Sequence, residues 1–204
     1  MQGNQGAVGK QTGQNLTAGF GEFSDLLVTE LQPRYYQNTY RGSVFGVTFA
    51  SGSAAAASAT ATGAFSLFNP LSSGKNLVLI DAIVTLVTFS VTTTSFGYGL
   101  AGFTQTPTTV TLGNTPVNQF IGGAATSVAK TYTVGTLVGA STATVRQLAA
   151  FYPDLAAGDM VASIKDEIAG VVVVQPGSGI DLVSTTTAGT ATQILSYTWA
   201  EILI

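Results

Sequence analysis

The chain has 204 residues, enough to bury one sizeable core, and all-β sandwiches of this length are commonly single domains. Only 8% of its residues are charged, compared with roughly 25% in an ordinary soluble domain, which predicts an obligate oligomer or a component of a larger assembly. Its lysines and arginines are scattered, so no basic cluster is present to neutralise phosphates, and we expect no nucleic-acid partner.

Residues 1–33 are predicted to form a flexible N-terminal arm. Residues 1–19 are rich in Gly, Gln and Asn and have too few apolar side chains to offset the entropy lost when the backbone orders. We interpret them either as a disordered tail or as an arm that orders against a neighbouring subunit. Residues 20–31, which Pro33 follows, favour a short helix, with a docked extended segment as the alternative.

Residues 34–204 are predicted to form one antiparallel β-sandwich domain, because no long linker interrupts them. Apolar alternation and turn residues divide this region into short strands and loops. We expect strands within residues 34–50, 64–69, 76–91, 131–138, 159–164 and 171–204, loop-rich segments at 51–63 and 104–127, a short helix or irregular segment at 142–152, and a charged turn at 165–167.

The longest apolar run, residues 76–91, predicts a long strand. It is short for a membrane-spanning helix, and the N-terminus lacks the apolar core of a signal peptide, so we expect no membrane partner. Strict alternation assigns Leu77, Leu79, Ile83, Val87 and Phe89 to one face and Val78, Ile80, Val84 and Leu86 to the other. A strand that is apolar on both faces is buried on both, so we expect the second face to join subunits.

Residues 96–103 alternate large side chains with glycines. Gly97 and Gly99 therefore leave one side of the backbone bare, and a neighbouring chain can approach closely there. A kink that is filled from within the same subunit fits the pattern equally well.

The C-terminal stretch, residues 171–204, predicts two successive β-hairpins. Pro176 and Gly177 form the first turn, and Gly189 marks the second. At strand spacing, Tyr197, Trp199 and Glu201 point to one side. A carbohydrate-stacking platform is one interpretation, but a lone Trp near a chain end more commonly packs in a core or a subunit interface, and we favour packing.

These patterns predict a set of interface residues. The candidates share an apolar or bare surface that a second subunit would cover: Val78, Ile80, Val84, Leu86, Gly97, Gly99, Tyr197 and Trp199.

The residue types limit the chemistry that the chain can perform. It has no histidine and no cysteine, which excludes Ser-His-Asp and Cys-His catalysis and ordinary zinc and haem sites, and we expect no cofactor and no enzyme. A carboxylate mechanism would need two acidic residues in one cleft, and calcium would need several closely spaced oxygen ligands. No carboxylate lies in a recognisable motif, so we interpret the candidates as solvated turn charges and interface ion pairs: Asp81, Asp154, Asp159, Asp166, Glu167, Asp181 and Glu201.

Four short motifs lie within residues 34–204. They are an aromatic-Arg-Gly lead-in at residues 40–45, an Asn-Pro and Ser-Gly-Lys-Asn-Leu pair within residues 69–77, a Pro-Gly turn after a valine-rich strand, and a terminal Trp-x-Glu-Ile at residues 199–202. Together these motifs resemble small structural proteins that tailed-phage virion gene clusters encode. The motifs cover both ends of residues 34–204 and leave 100–160 unmatched.

The resemblance implies a jelly-roll-like β-sandwich that assembles as a trimer. It further implies a capsid decoration (cement) protein or a related head or tail component, located on the capsid surface of a virion. The partners would be other copies of the chain and a major capsid protein or another virion protein. The alternative is a receptor- or glycan-binding fibre or spike component that uses the loops at 51–63 and 104–127.

Overall fold

The structure, a computed structural model, describes much of the chain. Side chains are described for residues 34–50, 65–87, 97–108, 110–133, 144–148, 163–183 and 192–204. Only the backbone is described for residues 7–11, 14–17, 19–20, 26–27, 55–56, 62–64, 88, 96, 109, 134–136, 149–151 and 184. The chain divides into two compact units, Met1–Gln37 and Asn38–Ile204.

The N-terminal unit contains two short antiparallel strand pairs. Strand β1 (Ala7–Gln11) pairs with β2 (Gln14–Thr17), and β3 (Gly19–Phe20) pairs with β4 (Leu26–Leu27). The short helix predicted for residues 20–31 is therefore wrong at the described positions, because both leucines take partners across a strand pair. One helical turn, α1 (Tyr36–Tyr40), spans the boundary between the units.

The C-terminal unit is built from thirteen strands: β5 (Val44–Thr48), β6 (Ala55–Ala56), β7 (Thr62–Asn69), β8 (Lys75–Thr88), β9 (Phe96–Phe103), β10 (Thr108–Leu112), β11 (Val117–Asn118), β12 (Lys130–Thr136), β13 (Thr144–Phe151), β14 (Ser163–Glu167), β15 (Val173–Val174), β16 (Ser178–Ser184) and β17 (Thr192–Leu203). One sheet has six strands in the order β11-β5-β17-β8-β14, with β15 also on β8. The other has seven, β10-β12-β7-β16-β9-β13, with β6 on β16.

These two sheets pack face to face, which confirms the predicted β-sandwich. Every described pairing is antiparallel except that of β6 with β16. Successive strands repeatedly cross from one sheet to the other, as β7, β8 and β9 do. Double-sheet jelly rolls use the same kind of crossing connection. Among the described residues, no helix is long and apolar enough to cross a membrane.

The two hairpins predicted at the C-terminus are wrong, although the first turn is where we expected it. Gly177 has φ = 81°, which only glycine adopts without strain, and its N–H donates to the Asn69 carbonyl at 2.8 Å. However, β15 belongs to the six-stranded sheet, β16 to the seven-stranded sheet and β17 to the six-stranded sheet again. Successive strands therefore lie in different sheets, and neither β15 and β16 nor β16 and β17 form a hairpin. The second predicted turn, at Gly189, lies outside the described residues.

The two faces assigned to the long strand are also wrong, because β8 contains a bulge. Trp199 pairs with Leu79 and Thr198 pairs with Asp81, so Ile80 has no residue opposite it in β17. An extra residue in one strand reverses the side to which the following side chains point. Leu77 and Leu79 face the core before the bulge; Ala82, Val84 and Leu86 face it afterwards.

Two further elements differ from the sequence prediction. Residues 144–151 form β13 and not a helix, and two shifts in its register against β9 explain why its apolar residues do not alternate regularly. Residues 165–167, predicted as a charged turn, lie inside β14 and pair with residues 81–83 of β8.

Large aromatic side chains from both sheets form the centre of the core. Phe49 packs edge-on against Phe65 and Tyr197, with ring centroids 5.5 and 6.0 Å apart. The Phe45 ring lies 6.4 Å from that of Trp199. All five side chains are almost completely buried, so the sandwich has a continuous hydrophobic core of its own.

Two substitutions after the bulge test which side chains of β8 point into the core. Replacing Leu86, which is 1% exposed, with Ala is expected to lower the free energy of unfolding by about 2–5 kcal/mol, because it leaves a cavity in the core. Replacing its neighbour Val87, 42% exposed, with Ala is expected to change that free energy by less than about 0.5 kcal/mol. Urea denaturation of the two variants measures both effects. Equal losses of unfolding free energy in the two variants would contradict the assignment of Leu86 to the core and Val87 to the surface.

Candidate functional site

Most of the predicted interface residues lie under the cover of their own chain. Val84, Leu86, Tyr197 and Trp199 belong to the core between the sheets, so no second subunit is required to bury them. The packing interpretation of Trp199 is confirmed, since a fully buried ring has no surface for a sugar. The other four predicted residues do not belong to the core cluster. Val78 is partly buried, and Ile80, Gly97 and Gly99 are buried.

The sheet that is buried on both faces is the seven-stranded one. Phe68, Phe103 and Tyr132 form a second cluster on its outer face, with the Phe68 and Phe103 rings stacked at 6.1 Å. Phe103 lies directly over Gly179, where an added Cβ would come within 2.1 Å of the ring. Residues 64–68 (AFSLF) are apolar or small at every position, which is typical of a strand buried on both faces. The sequence interpretation assigned that property to the longer strand β8 instead.

The exposed residues at one side of the sandwich form a candidate interaction surface. Here the edge strands of the two sheets, β13 and β14, approach each other. Arg146 of β13 donates two hydrogen bonds to Asp166 of β14, and the Nη2–Oδ1 distance is 2.8 Å. This bidentate pair holds the two sheet edges together, and it also raises the pKa of Arg146 through the hydrogen bond to Asp166.

A groove of about 550 Å³ opens beside this ion pair. It is lined by Phe103, Gly179 and Ile180 of the seven-stranded sheet together with Val145 and residues 171–174. Val171 and Val173 are 76% and 52% exposed, although valine is strongly apolar. We call Val145, Val171 and Val173 with the adjoining groove the edge surface.

The backbone of β15 adds hydrogen-bonding capacity to the edge surface. The Val172 carbonyl accepts from Leu79 N–H at 3.0 Å, and the Val174 carbonyl accepts from the Asn69 side chain at 2.9 Å. Since successive residues of a strand point their polar groups in opposite directions, those of Val173 point away from β8. Within the described part of the chain, β15 pairs with β8 alone. The edge surface therefore offers an open strand edge and apolar side chains together.

A second exposed apolar surface lies at the opposite edge of the six-stranded sheet, beside β11. The Tyr40 and Phe120 rings are in contact, with centroids 5.7 Å apart, and the neighbouring Ile121 is largely exposed. We call Tyr40, Phe120 and Ile121 the aromatic surface. Other apolar side chains are exposed elsewhere: Leu71, Leu112, Leu203 and Ile204.

Glu201 is buried and paired within its own chain, whereas we interpreted it as a solvated turn charge or an interface ion pair. Its Oε1 accepts hydrogen bonds from Ser127 Oγ at 2.6 Å and Val128 N–H at 2.9 Å, and its Oε2 pairs with Lys75 Nζ at 2.8 Å. Three donors, one from β8 and two from the loop before β12, thus meet at one carboxylate. Glu201 fixes the loop before β12 to β8 and β17.

Asp181 is the other buried carboxylate among those that we interpreted as solvated turn charges or interface ion pairs. It lies on the outer face of the seven-stranded sheet and accepts a hydrogen bond from Ser66 Oγ. Burial raises its pKa from 3.8 to about 7, and the Ser66 hydrogen bond opposes that rise. Asp81 and Asp166 pair with basic side chains, and Asp154 and Asp159 lie outside the described residues.

The described residues contain no group of three or more acidic side chains placed to hold a metal ion. Comparisons of the chain with protein-family models, with curated proteins and with solved structures found no match.

The Glu201 cluster generates a stability prediction. Replacing Glu201 with Gln is expected to lower the free energy of unfolding by about 2–3 kcal/mol, because a buried acceptor of charge-assisted hydrogen bonds is lost and Lys75 loses its partner. Replacing Asp81, which lies 3.6 Å from the largely exposed Lys165, with Asn is expected to cost less than about 1 kcal/mol. Chemical denaturation compares the variants. A loss for Asp81→Asn as large as that for Glu201→Gln would contradict this ranking.

Proposed function

We propose that the protein is a non-enzymatic structural component of a phage virion, a capsid decoration protein that assembles as a trimer. The observation that carries this proposal is the edge surface, where apolar side chains and an open strand edge stand exposed together. Burying apolar surface is favourable by about 25 cal/mol per Å². An extended segment or sheet edge of a partner could satisfy the backbone groups at the same time.

The two exposed apolar surfaces support a cyclic assembly. They differ in composition and lie at opposite edges of the six-stranded sheet, with β15 on the β8 side and β11 beyond β5. A ring of identical subunits needs two such different patches, because each subunit presents one patch to its neighbour on one side and the other patch to its neighbour on the other. The edge surface of one copy would contact the aromatic surface of the next.

The motifs that carry the resemblance to phage structural proteins also meet in space. Asn69 donates to the Lys75 carbonyl at 2.7 Å, and Lys75 pairs with Glu201. The Glu201 N–H donates to the Ser43 carbonyl at 2.8 Å. Residues from three separated motifs therefore form one hydrogen-bonded cluster. Such a cluster has a structural role, which is in keeping with a structural protein.

The low charge of the chain supports the same proposal. In the unit Asn38–Ile204, three of the basic side chains already pair with acids inside the fold, Lys75 with Glu201, Arg146 with Asp166 and Lys165 with Asp81. Few charges are left to keep separate copies apart in solution. In a virion, the partners would be other copies of the chain and a major capsid protein.

The ring arrangement makes a specific prediction for variants of each surface. Wild-type protein at micromolar concentration is expected to be a trimer by light scattering coupled to size-exclusion chromatography. Val171→Lys/Val173→Lys, which charges the edge surface, and Ile121→Lys, which charges the aromatic surface, are each expected to give monomers. Mixed in equal amounts, they are expected to form a one-to-one dimer, because the intact edge surface of Ile121→Lys can contact the intact aromatic surface of the other variant.

The matched control is Leu71→Lys, which charges an apolar side chain of 78% exposure outside both surfaces and is expected to leave the trimer intact. A monomeric wild type at micromolar concentration would overturn the proposal. An electron-microscopy map of the particle that contains the chain would then test the capsid site of a trimer.

A pocket in the loop region supports a second candidate function, a receptor- or glycan-binding component of a virion. A cavity of about 270 Å³ lies between residues 112–116 and 125–131 and is lined by Asn114, Thr115, Thr126 and Ser127. Hydroxyl and amide groups in a concave site are suited to sugar hydroxyls.

A glycan-array screen tests this second candidate. If it is correct, the wild type is expected to bind a defined set of glycans, and Thr115→Arg/Thr126→Arg, which fills the cavity, is expected to lose that binding. Leu71→Lys serves again as the control that retains it. Uniform absence of binding by the wild type would remove the candidate.

A further inference from the structure

Asp181 occupies an unusual position for a carboxylate. It lies in one row across the outer face of the seven-stranded sheet, hydrogen-bonded to Ser66 of β7 on one side and paired in register with Ala101 of β9 on the other. Tyr132 of β12 continues the row beyond Ser66. Asp181 is 1% exposed, although it lies on the face that points away from the core between the sheets.

The hydrogen bonds of this carboxyl group are incomplete for an ion. One oxygen accepts from Ser66 Oγ, and Oδ2 has no hydrogen-bond partner. A buried carboxylate is stable only when a cation or several donors compensate for the lost water. Neither is found here among the described residues.

The groups that face Asp181 from the surrounding strands do not supply the missing charge. On the outer face, β12 contributes Tyr132 and the exposed Lys130, which pairs with Phe68 in the next row. From the core side, Tyr197 of β17 is a neutral phenol, and the charge of Asp181 helps to raise the pKa of Tyr197. Tyr98 of β9, which belongs to the core cluster, is a neutral phenol as well.

The rest of the unit Asn38–Ile204 offers no further cation. Three of its basic residues pair with Glu201, Asp166 and Asp81, and the other two, Arg41 and Lys130, are exposed. The stretches of this unit whose side chains are not described contain no Lys, Arg or His in their sequence.

We propose that Asp181 is a proton switch: the unit folds with this carboxyl group protonated, and ionisation of the group destabilises the outer face of the seven-stranded sheet. A protonated carboxyl needs fewer compensating hydrogen bonds than an anion, which fits the single contact with Ser66. The switch is independent of the proposed assembly, because it acts within one copy of the chain.

The direction of the pH dependence follows from the two states of the carboxyl group. Its pKa is 3.8 ordinarily and about 7 in the folded chain, so between these values the folded state holds a proton that the unfolded state has released. The stabilisation is complete below pH 3.8 and is lost as the pH rises through about 7. Within this window, the unfolding equilibrium constant rises about tenfold per pH unit on account of this one group.

The test compares the full chain with Asp181→Asn, which keeps an acceptor for Ser66 and cannot ionise. Unfolding equilibrium constants are measured by urea denaturation at a series of pH values from about 5 to about 8. The ratio of the wild-type constant to the variant constant is expected to rise about tenfold per pH unit and to level off above about pH 7. A ratio that stays constant over this range would overturn the proposal.

Two further variants sharpen the test. Ser66→Ala removes the donor that favours the ionised form of Asp181, so the pKa of Asp181 is expected to rise further. The pH above which the unfolding equilibrium constant of this variant stops rising is therefore expected to be higher than in the wild type. Asp81→Asn removes a carboxylate beside Lys165 in the other sheet and is expected to keep the wild-type pH dependence. A downward shift for Ser66→Ala, or loss of the pH dependence in Asp81→Asn, would contradict the assignment to Asp181.

A measurement on the wild type alone remains decisive if Asp181→Asn does not fold. The ¹³C chemical shift of the Asp181 carboxyl group, followed by NMR as a function of pH, is expected to titrate with a midpoint near 7. A midpoint at the ordinary value of 3.8 would show that the group is ionised in the folded chain and would overturn the proposal.

Discussion

The pairing of β8 with β17 is the interaction on which the rest of the sandwich depends. These are the two longest strands, they lie at the centre of the six-stranded sheet, and they carry core side chains along most of their length. The bulge at Ile80 divides β8 into two segments that present opposite alternations to the core. The same bulge lets one strand bury Leu77 at one end and Leu86 at the other, so the core extends over the whole strand.

Three ion pairs in the unit Asn38–Ile204 engage six of its charged side chains within the fold. Arg146 and Asp166 close the side where the two sheet edges meet, and Glu201 with Lys75 fixes a loop to the central strands. Both contacts stabilise the fold locally, and the burial of apolar side chains stabilises the core. Because these charges are engaged internally, apolar residues contribute more of the outer surface, and two patches of them are exposed at opposite edges of one sheet.

The proposed assembly and the proposed proton switch depend on different residues. Val171, Val173 and the aromatic surface lie at the edges of the six-stranded sheet, whereas Asp181 lies on the outer face of the seven-stranded sheet. The groove of the edge surface also includes Phe103 and Gly179 of the seven-stranded sheet. The two proposals can therefore be separated by experiment, since charged substitutions at Val173 or Ile121 leave Asp181 in place.

The sequence by itself determined the all-β class, the sandwich and several turns, because these depend on local properties. β-branched alternation specifies strands, and Pro176 followed by Gly177 specifies a turn wherever the chain goes next. Only the tertiary structure decided which strand follows each turn in space, where β8 has an extra residue opposite β17, and which carboxylates are buried. Alternation cannot reveal a bulge, so Val84 and Leu86 were assigned to a partner when they belong to the core. The burial of Asp181 and Glu201 likewise depends on residues more than 70 positions away, such as Ser66 and Ser127, and their sequence neighbours carry no sign of it.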